Sequence, residues 1–252
     1  MTARLSALVG WLLAGHLLLA GLYWALLHVP ESNVFMLGTS LLIVLAGIWL
    51  AGFIEGTGLL VWSREATWMG SIATAARRAA LVVLPLIVIA ALWWATSAVN
   101  LSAENRSGEM DAWIIAKTGV TKTEWLHEAI GWVIAFVRYT IGLSCALALL
   151  GALMRDGIRG AASTAWLKRS FGWVQLAVIS VCLLAGFWLP WKAVDWRPAS
   201  LPPTWAEPAF ATVKLLVLFV IANVAWALVL WWAGHPAREK SPEAPGESAL
   251  QR

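Results

Sequence analysis

The sequence predicts an all-α membrane protein, a bundle of six transmembrane helices with both termini on the cytoplasmic side. Of its 252 residues, 60% are hydrophobic and only 13% are charged, and the mean hydropathy is +0.75. Soluble domains average about 45–50% apolar and about 25% charged residues. A bilayer accommodates the excess, because about 20 apolar residues in a helix cross its hydrocarbon core of about 30 Å.

Six apolar stretches are long enough to cross a bilayer, at about 5–28, 34–62, 77–99, 128–154, 171–192 and 209–233. We expect them to form one transmembrane domain over residues 1–234. The first stretch is longer than the about 7–15 apolar residues of a signal peptide, so it is interpreted as a retained helix. The segment 235–252 is polar, contains proline and carries mixed charge, which predicts a disordered cytoplasmic tail.

The distribution of lysine and arginine predicts the orientation. Eleven of the eighteen basic residues lie at the N-terminus, in the connectors at 63–78 and 155–170, or after residue 234. Because basic residues are retained on the cytoplasmic side, these segments and both termini are expected to be cytoplasmic. The residue usage, rich in Ala, Leu, Trp and Arg, favours a bacterial cytoplasmic (inner) membrane. Orientation explains the positive net charge, so no nucleic-acid partner is predicted.

The two basic connectors also resemble each other. A shift of 91 positions superposes four pairs of charged residues: Arg64 on Arg155, Glu65 on Asp156, Arg77 on Lys168 and Arg78 on Arg169. The offset indicates either a duplicated helix–connector–helix unit or two connectors that follow the same charge rule. Each connector is expected to carry a short interfacial helix. Glu55 falls on Ala146 in this comparison, so its carboxylate is not part of a shared scaffold.

The long loop between the third and fourth spans has readable capping signals. Asp111 is expected to cap a short helix over 112–118 that lies along the outer surface, and Gly119 is expected to end it. Thr121 and Glu124 match a capping box that starts the fourth helix outside the bilayer. A partner-binding surface is the competing interpretation of this loop.

Two ionisable residues lie deep in the apolar spans, where each is a functional hypothesis because burying charge in a bilayer is costly. Glu55 is followed by Gly56, Thr57 and Gly58, small residues that allow another helix to approach. His16 is placed within about 6 Å of the same depth if both helices are straight. The pair could stabilise a helix contact or relay a proton.

Arg138 and Lys214 are both predicted about two turns below the outer surface. Long basic side chains at this depth can extend to the interface. If the two helices face each other, the two cations could instead hold an anionic lipid headgroup or a carboxylate substrate. Both interpretations stay open for each residue.

The sequence contains no recognised catalytic motif, which favours a protein without enzymatic chemistry. His28 and His127 near the outer surface could ligate a haem, but they are interpreted as interfacial residues, and no cofactor or metal is predicted. The expected partners are membrane lipids, with other membrane subunits as a further option. The preferred function is a membrane subunit, scaffold or assembly factor. The alternatives are a small transporter or channel with an ion or proton path through Glu55 and His16, and a lipid-acting enzyme.

Overall fold

A computed structural model of the chain describes residues 2–30, 33–62, 67–119, 123–194, 196 and 206–234. Every regular element in these ranges is helical, which confirms the predicted all-α class. Six helical segments are long and apolar enough to cross a membrane, as predicted: Ala3–Leu27, Val34–Leu60, Trp68–Asn105, Glu124–Asp156, Trp173–Val194 and Ala206–Gly234. The proposed tail at 235–252 and Thr121 of the capping box lie outside the described residues. The side on which the termini lie stays a prediction.

The chain forms twelve α-helices within the described residues. They are α1 (Thr2–Leu27), α2 (Val34–Leu60), α3 (Trp68–Arg78), α4 (Val83–Asn105), α5 (Ser107–Thr118), α6 (Glu124–Ala135), α7 (Gly142–Asp156), α8 (Ile158–Ala162), α9 (Ala165–Ser170), α10 (Trp173–Leu183), α11 (Leu189–Val194) and α12 (Ala206–Gly234). A 3₁₀ turn (Ala79–Val82) joins α3 to α4. Two π-helical turns join α6 to α7 (Phe136–Ile141) and α10 to α11 (Leu184–Trp188).

The third transmembrane segment starts earlier than the predicted residue 77. Thr67 caps α3, its hydroxyl accepting the Gly70 N–H at 3.1 Å, and the helix then runs into the membrane through the 3₁₀ turn. Pro85 lies in the first turn of α4, where its missing N–H and its ring disturb the regular bonding of the preceding turn. From Trp68 onwards, the first basic connector is therefore an extension of the third transmembrane helix rather than a separate surface helix.

The N-cap predicted at Asp111 is wrong. The helix α5 already begins at Ser107, so Asp111 lies inside it, and its Oδ1 is 3.0 Å from the Nε2 of His127 on α6. The Asp111 carboxylate therefore bonds a side chain on another helix, whereas the sequence pattern predicted that it would cap the backbone of its own helix. The predicted helix end is confirmed, since Gly119 adopts φ +71° and its N–H donates to the Ile115 carbonyl.

The core lies around α7, which has almost all of its residues buried, and around the connector-side halves of α2 and α12. We call this end of the bundle the connector face and the opposite end, where α4 ends and α6 begins, the loop face. Small residues permit close packing at the core. At Gly52 on α2, an added Cβ would lie 2.2 Å from the carbonyl oxygen of Ala79, so the 3₁₀ turn packs directly on the α2 backbone.

The two connectors use equivalent arginines in the same way. Arg78 donates from Nη1 to the carbonyl of Met154 in the last turn of α7, at 2.6 Å. Arg169, 91 residues later, donates from Nη2 to the carbonyl of Ala233 in the last turn of α12, at 2.5 Å. Burial, and then the charge of nearby Arg155, lower the pKa of Arg169 below the usual range for arginine. Each connector thus caps the C-terminal end of a later helix. The duplication stays a hypothesis, because the two acceptor residues are 79 and not 91 positions apart.

Candidate functional site

The structure brings His16 and Glu55 into direct contact. The Nε2 of His16 on α1 lies 3.1 Å from the Oε1 of Glu55 on α2. Both side chains are largely but not fully enclosed, with 24% of His16 and 16% of Glu55 exposed. The close approach of the two helices relies on Gly15, where an added Cβ would lie only 2.7 Å from the side chain of Ile54. His16 and Glu55, which the sequence placed at a similar depth, are therefore in contact in the structure.

Two further side chains, both on α12, complete a polar cluster with this pair. Trp226 donates its indole N–H to the Oε2 of Glu55 at 2.7 Å. The Oδ1 of Asn223 lies 2.6 Å from the Nδ1 of His16. Asn223 and Trp226 were not predicted from the sequence, because only ionisable residues were considered as candidates. An asparagine and a tryptophan three positions apart in an apolar helix lie on one face, and that spacing was the available signal.

The hydrogen-bond partners of His16 indicate where its ring carries protons. The Asn223 amide donates from Nδ2 to the Phe219 carbonyl at 2.9 Å, which turns its oxygen towards His16. The Nδ1 of His16 must therefore carry a proton and donate to that oxygen. A hydrogen bond between Nε2 and the Glu55 carboxyl group requires a proton between these two atoms. With that one proton, the pair is electrically neutral.

The polar cluster forms one wall of a cavity of about 500 Å³ between the transmembrane helices. The remaining walls are mainly apolar, and the lining residues are His16, Glu55, Leu143, Leu183, Phe187, Phe219, Ala222, Asn223 and Trp226. Phe187 lies in the π-helical turn after α10 and is 45% exposed. The exposed residues on the membrane-spanning helices around the cavity are mainly apolar.

Arg138 and Lys214 contact different parts of the bundle, and no described residue contacts both. Arg138 bonds the hydroxyls of Thr96 and Ser97 on α4, at 2.7 and 2.8 Å. Lys214 on α12 donates to the backbone carbonyls of Val194, at the end of α11, and of Trp196, the latter at 2.9 Å. The joint anion site that was one option for this pair therefore has no support in the contacts.

The histidines considered as haem ligands have local partners. His28 bonds the Trp24 carbonyl of its own helix at 2.8 Å, and His127 bonds Asp111. Within the described ranges, no group of three or more His, Cys, Asp or Glu side chains is arranged to hold a metal ion. The absence of a cofactor stays a prediction.

Comparison with known proteins gives one partial similarity. The chain is 30% identical over 95 residues to the lysylphosphatidylglycerol biosynthesis bifunctional protein LysX of Nocardia farcinica (strain IFM 10152). The match covers 35% of this chain and 8% of that protein, so the chain spans only a small part of the length of the relative. No protein-family profile and no solved structure match the chain. Its family is therefore not assigned.

Proposed function

We propose that the chain is a non-enzymatic integral membrane protein that binds a membrane lipid in the cavity beside His16 and Glu55. Its role is lipid handling as a subunit, scaffold or assembly factor of a membrane complex in the bacterial inner membrane. The observation that supports this proposal is the cavity itself, with a neutral polar cluster on one wall and apolar side chains on the others.

The size and lining of the cavity favour a lipid over a hydrated ion. Its volume lies within the range of about 300–1,000 Å³ that is typical of small-molecule sites. Leu143, Leu183 and Phe219 offer contact to an acyl chain, whereas an ion path needs a continuous series of polar groups. His16 and Glu55 already neutralise each other, so the cavity has no net charge with which to attract an ion.

The partial similarity supports the same ligand class. The name of the relative states a role in lysylphosphatidylglycerol biosynthesis, which concerns a membrane lipid. Because the aligned part is a small share of that protein, its enzymatic activity gives no reason to propose an enzyme here. What supports lipid handling is the agreement between a lipid-related relative and a cavity with mainly apolar walls between membrane-spanning helices.

Lipid retention in the cavity can be tested with two phenylalanine substitutions on the same helix. Ala222→Phe fills the cavity, whereas Val224→Phe adds the same ring at a surface position that is 40% exposed. Native mass spectrometry of protein released from nanodiscs counts the lipids that stay bound. We expect Ala222→Phe to lower retention roughly tenfold, the equivalent of about 1.4 kcal/mol, and Val224→Phe to leave it unchanged. Equal retention by both variants would refute the proposal.

A proton-coupled transporter is the second candidate, favoured by the proton that His16 and Glu55 share. In that case the cluster would relay a proton while the ligand crosses the membrane. The test is flux in liposomes with an imposed pH gradient. Flux that stops in Glu55→Gln and persists in Val224→Phe would favour transport, and flux that is indifferent to Glu55→Gln would eliminate it.

A further inference from the structure

We propose that Arg138, held by Thr96, Ser97 and Trp93, is a binding site for the phosphate of an anionic phospholipid in the leaflet at the loop face. This site is separate from the cavity and does not rest on the function proposed for it. It lies where α4 contacts the π-helical turn Phe136–Ile141. Such turns within α-helices are frequent at functional sites.

The guanidinium of Arg138 is held by three residues that all belong to α4. Nε donates to the Thr96 hydroxyl at 2.7 Å, and Nη2 donates to the Ser97 hydroxyl at 2.8 Å. The central carbon lies 4.7 Å from the centroid of the Trp93 ring, a cation–π contact. Arginine has five N–H donors in a rigid fork, so these contacts orient the group and leave donors for a further acceptor.

None of these partners neutralises the positive charge. Hydroxyls and an aromatic ring are electrically neutral, and no carboxylate among the described residues lies within 4.0 Å of the Arg138 guanidinium. An uncompensated charge near the apolar core of a bilayer is unfavourable, and such residues normally pair with an opposite charge. The missing partner is therefore an anion that the described part of the chain does not supply.

Depth and exposure identify that anion. Thr96 and Ser97 lie three and two residues from the outer end of the apolar stretch predicted at 77–99, where headgroups meet acyl chains. Trp93 and Tyr139 are 44% and 53% exposed, and their rings pack edge to face at 5.8 Å beside the guanidinium. Arginine binds phosphate oxygens through two parallel N–H donors. A phospholipid phosphate meets all of these conditions.

Lys214 provides the internal contrast. Its ammonium donates to two backbone carbonyls, one of them in the last residue of α11, where the helix dipole favours a positive charge. Lys214 therefore has partners that compensate its charge in part. Lys214→Gln removes a cation from the apolar part of another helix and serves as the matched control for Arg138→Gln.

The test compares lipid retention in nanodiscs made of phosphatidylglycerol and phosphatidylcholine in equal amounts. We expect the wild type and Lys214→Gln to retain phosphatidylglycerol preferentially in native mass spectra, and Arg138→Gln to lose that preference roughly tenfold. A preference that survives Arg138→Gln, or one that falls equally in Lys214→Gln, would overturn the proposal.

A second variant and a competition with inorganic phosphate test the assignment of Arg138 as a phospholipid site. Arg138→Lys keeps the charge but loses the fork, so the preference should fall severalfold, and this variant replaces Arg138→Gln if the latter does not fold. An unchanged preference in Arg138→Lys would refute fork recognition. Inorganic phosphate at millimolar concentration should leave the bound lipid in place. Displacement of the lipid by inorganic phosphate would overturn the lipid as the source of the phosphate group.

Discussion

The polar cluster at His16 and the site at Arg138 differ in how the protein compensates an ionisable group within a membrane-spanning helix. Both place an ionisable group in a helix that crosses the bilayer. In the cluster, Glu55 lies 3.1 Å from His16, so the pair is neutral, and Asn223 and Trp226 satisfy the remaining polar atoms. At Arg138 the hydrogen bonds are made by neutral hydroxyls and the charge stays uncompensated.

The difference shows that satisfying hydrogen bonds and neutralising charge are separate requirements. A cluster that meets both within the chain holds the fold together, since His16, Glu55 and Asn223 belong to three different helices. A residue whose hydrogen bonds are satisfied but whose charge is not neutralised can bind a counter-ion from its surroundings. We therefore expect substitutions in the cluster to affect stability and substitutions at Arg138 to affect lipid binding.

The largest effect is expected for Glu55→Ala. The substitution leaves the Nε2 of His16 and the indole N–H of Trp226 without their acceptor, which we expect to lower the free energy of unfolding by about 2–4 kcal/mol. Chemical unfolding in detergent micelles, followed by tryptophan fluorescence, measures the loss. Glu55→Gln keeps an acceptor for Trp226 and should lose less. A loss below about 0.5 kcal/mol in Glu55→Ala would show that the cluster does not stabilise the bundle.

A smaller effect is expected for Asn223→Leu. The substitution removes the acceptor of the Nδ1–H of His16 and the amide bond to Phe219, but it leaves the contact with Glu55 in place. Hydrogen bonds between transmembrane helices are worth about 0.6–2 kcal/mol, so we expect a loss of about 1 kcal/mol in the same unfolding experiment.

Val224→Leu, one position away on the exposed side of α12, is the control and should have no effect. A loss in Asn223→Leu that equals the loss in Glu55→Ala would contradict the order of importance within the cluster.

The smallest effect on stability is expected for Arg138→Met. The substitution removes three favourable contacts but also removes an uncompensated charge, and exchanging buried charges for apolar groups is often neutral or stabilising. The free energy of unfolding in detergent without anionic lipid should change by less than about 1 kcal/mol. A loss as large as that of Glu55→Ala would remove the distinction between the two sites and assign Arg138 to the fold.

Particular residues show how far the sequence could be interpreted. The depth of His16 and Glu55 followed from counting along their helices, and the structure places them in contact. Arg138 and Lys214 were also assigned a common depth, yet they bond different elements. Counting gives position along a helix axis but not rotation about it. Asp111 illustrates a further limit, because its local capping pattern was overridden by His127 on another helix.

The sequence by itself determined the all-α class and the six spans. These properties depend on the length of apolar runs and on local charge, and both can be read along the chain. Only the tertiary structure decided which side chains meet. The transmembrane helices are apolar on most sides, so no polar stripe marks the face that packs inwards. The cluster of His16, Glu55, Asn223 and Trp226 exists because three such faces turn towards each other.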